Sequence, residues 1–199
     1  SSIMIVLLTF FFAGTVKGVV GLGLPPIALG ILTSTIGLQH AMALILVPSF
    51  LTNLWQGCVG GHARSIVSRT WSFLFMATAM IGVGSLALDY LDIAILSALL
   101  GIVLMVYATM GLGKLQLHIS PSWQWRAGIV LGAANGILTS WTGSSAVPGV
   151  FYLQSIGLHR DELVQAMGIL FTASTVGLAL SLGAQGMLTM ELGVLSTLA

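Results

Sequence analysis

Asn135, Thr139, Ser140, Thr142, Ser144 and Ser145 crowd into eleven residues of the stretch NGILTSWTGSSAVPG, together with Gly136 and Gly143 and followed by Pro148. Hydroxyls and a carboxamide supply donors and acceptors without a fixed charge, so they suit either ligand binding or bonding to nearby backbone. A lone Ser or Thr in an apolar helix returns its proton to the carbonyl one turn back. Six polar residues packed this densely, with Gly143 and Pro148, predict instead an unwound helix whose N–H groups and hydroxyls face a cavity.

Other residues extend this set. Asn53 and Gln56 in TNLWQ, and Thr172, Ser174 and Thr175 in FTAST, fall at corresponding places on two further apolar segments and could complete a polar cage. Interhelical hydrogen bonding explains the same residues. Lys17 lies about fifteen residues into an apolar span, where a charge costs about 2.5 to 3.5 kcal/mol on insertion scales. It either faces a substrate path or snorkels to an interface.

Some chemistries find no support. A serine hydrolase needs a base beside its nucleophile, yet His40, His62, His118 and His159 all fall at predicted span ends, as do Asp89, Asp92, Asp161 and Glu162. Only Glu191 lies near a span interior, so no proton relay is legible. The single cysteine, Cys58, excludes an intrachain disulfide and a thiolate cluster, and is expected to pack as a small apolar residue. We expect no metal, no cofactor and no catalytic residue. A net charge of +1 offers no field for nucleic acid.

The elements that carry these residues follow from composition. Hydrophobic residues make up 57% of the chain and charged residues 6%, with a mean hydropathy of +1.07, against roughly a quarter charged in a soluble domain. Charge-free intervals from Gly18 to Ala63, Thr70 to Leu88, Ile93 to Gly113, Ala127 to His159 and Leu163 to Met190 have helix lengths or multiples of them. They predict an all-α membrane protein, a polytopic helical bundle of about seven helices. The expected spans are Ile3–Ile31, His40–Gly60, Trp71–Leu88, Ile93–Gly113, Trp123–Phe151, Leu163–Gly183 and a seventh from Met187. The opening segment lacks a basic start and a small-residue cleavage site, so it reads as a first span and not a signal peptide.

The first and fifth spans exceed what a bilayer requires. Both begin G-x-x-x-G, with Gly14 and Gly18 answering Gly132 and Gly136 at a spacing of 118. These four glycines read as close-packing positions more readily than as ligand contacts. Gly21, Gly23, Pro25 and Pro26 in the first span, and Pro148 in the fifth, predict breaks. Ile36, Gly37 and Leu38 match Ile156, Gly157 and Leu158, and Thr52 and Asn53 fall opposite Ser174 and Thr175. This predicts a duplicated chain, residues 1–114 and 115–199, whose interrupted leading helices meet to form a site.

Those residues also carry a family resemblance. NGILTSWTGSSAVPGVFYLQSIGLHRDELVQAMGILFTAST, with VPSFLTNLWQ and GTVKGVVGLG, resembles the sulfite exporter TauE/SafE family, or toluene sulfonate uptake permeases, over nearly the whole chain. Pro148 follows Gly136 by twelve residues as in the family pattern, whereas Gly30 stands at the equivalent place after Gly18. The resemblance implies two related halves, eight helices in a complete protein, and transport of a small sulfur-containing anion across a bacterial inner membrane. Adding the 118-residue spacing to Gly113 places the end of a complete second half near position 231, beyond this chain.

For such an anion, all of whose oxygens are acceptors, the polar cluster supplies donors, with Ser144, Ser145 and Thr142 foremost. A non-transporting accessory subunit is the alternative, and an intramembrane serine hydrolase a more distant one. Oligomeric state is not legible.

Loop charges orient the bundle. Arg64 and Arg69, then Lys114 and Arg126, mark two loops as cytoplasmic, while Asp89 and Asp92 mark the loop between them as external. Trp71, Trp123 and Trp125 stand beside the basic loops, as interfacial indoles do. If the first and fifth spans each cross once, the halves run parallel; if they turn back, the halves are inverted. Charge bias favours the single crossing, with IGLHRDE outside.

Overall fold

The computed structural model describes residues 2–20, 24–113 and 118–185. Gly21, Gly23, Lys114, Glu191 and the expected seventh helix lie outside them. Among these residues eight α-helices run in order: α1 Ser2–Val20, α2 Leu24–Ile36, α3 Leu38–Cys58, α4 Ala63–Ser85, α5 Ile93–Gly113, α6 Gln124–Thr142, α7 Gly149–Ser155 and α8 Arg160–Ala184, with a short 3-10 turn at Leu88–Tyr90. Among the described residues there is no strand, and α3, α4, α5 and α8 are each long and apolar enough to cross a membrane. The chain is an all-α helical membrane bundle.

Both long spans are divided, α1 from α2 and α6 from α7. Pro25 and Pro26 sit in the first turn of α2, where a missing N–H costs nothing. Charge does not mark helix ends as expected. α4 begins eight residues before Trp71 and takes in Arg64 and Arg69, because Arg69 finds acceptors in the Gln124 side chain, at 3.1 Å, and the Ile156 carbonyl. α8 starts at Arg160, three residues earlier than expected, with the Glu162 carboxylate accepting the His159 N–H at 3.1 Å.

Glycines line the most extensively packed helix pair, α4 with α6. A Cβ on Gly128 would lie 2.6 Å from Ser72 Oγ, one on Gly132 2.6 Å from the Phe73 carbonyl, and one on Gly136 would strike the Ala77 carbonyl. Backbones thus approach along a small-residue stripe spaced every four residues. Contacts advance together along the two helices, from Ser72 and Gly128 to Gly84 and Ser140, so α4 and α6 run parallel. Gly177 of α8 meets Thr78 and Ile81 of α4, and the Gln185 side chain donates to the Ser85 carbonyl at 2.7 Å, so α8 runs parallel to α4 as well.

Since α6 and α8 share a direction, the chain between them must return. It does so as a hairpin: Gly149 bonds Asn135, Tyr152 Oη donates to the Gln124 carbonyl at 3.1 Å, and the Ile119 N–H donates to the Ser155 carbonyl at 2.9 Å. Residues 124–156 therefore enter and leave at the same end. The single crossing favoured by loop charge is not what the chain does. IGLHRDE lies at the end that also carries Arg64, Arg69 and Arg126, and there its Asp161 and Glu162 serve the N-terminus of α8. Asp92 and the 3-10 turn before it lie at the opposite end, so Arg64, Arg69 and Arg126 gather at one end of the bundle. Trp123 and Trp125 are exposed at the basic end, with the Arg126 guanidinium over both rings at 5.2 and 5.5 Å.

α3 and α8 pack antiparallel. Gly57 meets Gly168 and Ile169, while Ile45 and Leu46 approach Leu178 at the other end. Gln165 ties the pair by donating to the Gly57 carbonyl and accepting the His62 N–H, both at 2.9 Å. Because Gly57 turns its face to α8, Cys58, a third of a turn further round, is exposed and does not pack inside as expected.

Candidate functional site

Most polar groups of the quoted stretch are used in making the turn. α6 ends at Gly143, whose φ of 74° is left-handed and whose N–H donates to the Thr139 carbonyl at 2.8 Å. Thr142 Oγ1 donates to the Leu138 carbonyl at 2.7 Å and accepts the Ser144 N–H at 3.3 Å. Ser144 Oγ accepts the Ala146 N–H at 3.4 Å, and Ser140 Oγ donates to the Ile137 carbonyl at 2.8 Å. The Val147–Pro148 peptide bond is cis, and Pro148 caps α7. Asn135 Oδ1 accepts the Gly149 N–H at 2.9 Å and holds the descending arm to α6.

Thr139 and Ser145 are bonded too, Thr139 Oγ1 donating to the Asn135 carbonyl at 2.7 Å, which leaves Ser145 the donor between them. Their hydroxyls share a hydrogen bond of 2.9 Å and line a cavity of about 20 Å3, room for about one water molecule. Its walls come from four elements: Pro25 of α2, Ser49 and Asn53 of α3, Thr139, Gly143 and Ser145 of the hairpin, and Ser174 and Thr175 of α8. The Phe171 and Leu178 side chains complete it. Three buried polar atoms in this wall have no hydrogen-bond partner: Ser49 Oγ, Asn53 Nδ2 and Ser174 Oγ. Their residues are 2%, 0% and 3% exposed. Each can donate a hydrogen bond, and leaving such a group unpaired in an apolar interior costs about 1 to 3 kcal/mol.

Ser49 was not among the sequence candidates. It lies one helical turn before Asn53, and that i, i+4 spacing is the signal by which it could have been found. The remaining candidates lie around the cavity. Thr172 and Thr175 hydroxyls donate to the Gly168 and Phe171 carbonyls at 2.7 Å, although Thr175 also forms part of the wall. Gln56 donates to the Val164 carbonyl at 2.7 Å.

Lys17, in the last turn of α1, is 7% exposed. Its Nζ donates to Thr52 Oγ1 at 3.0 Å and to Asn53 Oδ1. It lines a separate cleft of about 630 Å3 with Gly14, Gly18, Thr52, Trp55 and Gln56. Asn53 stands between Lys17 and the small cavity. Among the described residues nothing lies within 4 Å of a Cβ added to Gly14 or Gly18, so they leave space where Gly132 and Gly136 are closely packed.

The cavity wall contains no histidine or carboxylate, and the described residues hold no cluster of metal-type ligands. A donor-lined pocket among apolar helices is suited to holding an acceptor-rich solute. The family model described as Sulfite exporter TauE/SafE matches residues 6–199. The chain belongs to the TauE/SafE family. No curated protein and no solved structure is found to match it. As a TauE/SafE protein it is an integral, multi-pass membrane protein, and the family implies a transporter of sulfur-containing anions in a lipid bilayer. The TauE/SafE match spans both broken segments, α3 and α8, so it includes every wall of the cavity.

Proposed function

We propose that this TauE/SafE protein carries sulfite or a small organosulfonate across the bacterial inner membrane, and that the anion binds in the cavity between the broken leading segments. The observation that carries this reading is the convergence of Ser49 Oγ, Asn53 Nδ2 and Ser174 Oγ, three unpartnered donors in one wall. Sulfite and sulfonate oxygens are all acceptors in their ionised forms, so they match this wall and satisfy it. No group in the wall could act as a general base toward Ser145, and we read the protein as a carrier and not an enzyme.

Two structural features support a duplicated, inverted build for residues 1–114 and 115–199. Gly37 at φ 84° and Gly157 at φ 71° each join a short helix to a long one, and those long helices, α3 and α8, pack antiparallel. Asn53 and Ser174 then approach the cavity from opposite sides of the repeat. A space for one water is smaller than sulfite, so the anion enters when the hairpin tip and α2 separate from α3 and α8. Such separation on alternating faces is how a carrier moves its substrate.

The test is sulfite binding by purified protein in nanodiscs, with Ser49→Ala and Ser174→Ala made together. Loss of two hydrogen bonds to a charged ligand weakens binding by more than about tenfold, given about 1.5 to 3 kcal/mol for each. Unchanged affinity at normal folding removes the cavity from the site. Efflux of labelled sulfite from proteoliposomes separates a carrier from an accessory subunit.

A further inference from the structure

Among the described residues, Asn53 is the one that the cavity wall shares with the Lys17 contact. Its carboxamide has one acceptor end and one donor end. The ammonium of Lys17 has donors and no acceptor, so the amide oxygen must be the end that faces it. The NH2 group is then left at the opposite end, buried and without a partner, in a residue that lines the cavity. Lys17 itself is absent from the cavity wall and belongs to the larger cleft behind it.

We propose that Lys17 is a positioning residue that fixes the polarity of the site through Asn53. This rests on reading the cavity as the anion site. Direct attraction of the anion by the ammonium is a different role, because it would not require Asn53. With Lys17 in place, Asn53 offers the cavity a donor; without it, the amide is free to turn its oxygen inward, where an acceptor repels an anion and leaves the ligand one hydrogen bond short. Thr52 Oγ1 holds the ammonium from the other side, itself anchored by donating to the Pro48 carbonyl at 2.7 Å. The arrangement makes one buried cation select for acceptor-bearing ligands without touching them.

A double-mutant cycle tests this, using sulfite and methanesulfonate as probes on the full-length protein in nanodiscs. Asn53→Ala and Lys17→Met should each weaken sulfite binding by about tenfold, and the two together should weaken it no more than Asn53→Ala alone. Lys17→Arg, which keeps a donor toward Asn53, should restore most of the affinity. Asn53→Asp keeps the Lys17 contact but presents only acceptors, and should abolish binding at an unchanged melting temperature. If Lys17→Met weakens binding by the same factor in the Asn53→Ala background, the ammonium acts on the anion directly and the positioning role is wrong. If Lys17→Met is harmless while Asn53→Ala is not, the role is also wrong. If neither Asn53→Ala nor the Ser49 and Ser174 double variant changes affinity, the cavity is not the anion site and both readings fall together.

Discussion

Asn135 Oδ1 accepts the backbone N–H of Gly149 at 2.9 Å across the arms of the α6 to α7 hairpin. This bond closes the hairpin below its tip, and both residues are buried. Replacing Asn135 by Leu removes the acceptor and leaves a buried N–H unpaired, which costs about 1 to 3 kcal/mol. Thermal unfolding in detergent should show a lower midpoint for Asn135→Leu. A midpoint equal to the parent's would mean that the bond does not hold the arms together.

Ser144 and Ser145 are neighbours in sequence with different employment. Ser144 Oγ accepts the Ala146 N–H and stands outside the cavity wall, whereas Ser145 donates to Thr139 Oγ1 and lines the cavity. Under the proposed function, Ser145→Ala should weaken sulfite binding by several-fold to about tenfold, and Ser144→Ala should act mainly on stability, by about 1 kcal/mol. Binding isotherms for the two variants side by side decide it. Equal losses of affinity would contradict the division of labour.

Gly132 and Gly14 occupy similar places in the sequence echo and opposite places in the packing. A Cβ on Gly132 meets the Phe73 carbonyl at 2.6 Å and Met76 Cβ at 3.1 Å, while one on Gly14 meets nothing within 4 Å. Gly132→Ala should therefore destabilise by about 1 to 3 kcal/mol through overpacking. Gly14→Ala should be neutral or stabilising by up to about 1 kcal/mol, from helix propensity. Melting temperatures of both variants provide the comparison, and a harmless Gly132→Ala would refute the close approach of α4 and α6.

Topology gives a fourth expectation. With exposed Cys58 replaced by Ser, single cysteines at Ser120 and His159 should react with an impermeant maleimide from the same side of the membrane, and one at Gln39 from the other. Labelling of position 159 together with position 39 would restore the single crossing of residues 124–156.

Hydropathy and charge spacing were enough to place α5 and, within a few residues, α3 and α8, because transfer into hydrocarbon depends on composition over a window and on little else. The breaks at Val20 and at Gly143 to Pro148 were legible for the same local reason, since glycine and proline act on their own turn. Direction after a break was not legible. Whether residues 143–156 continue across the membrane or return is settled by Asn135, Gln124 and Arg69 finding partners on the arm that comes back, and these are pairings between distant residues. The same holds for the site. Sequence density singled out the hydroxyls of the hairpin, but a hydroxyl bonded within its own turn and one left without a partner look alike in a string of letters. Only the packing of α3 against α8 and the hairpin placed Ser49, Asn53 and Ser174 in one wall without partners, and put Lys17 behind Asn53 and outside that wall.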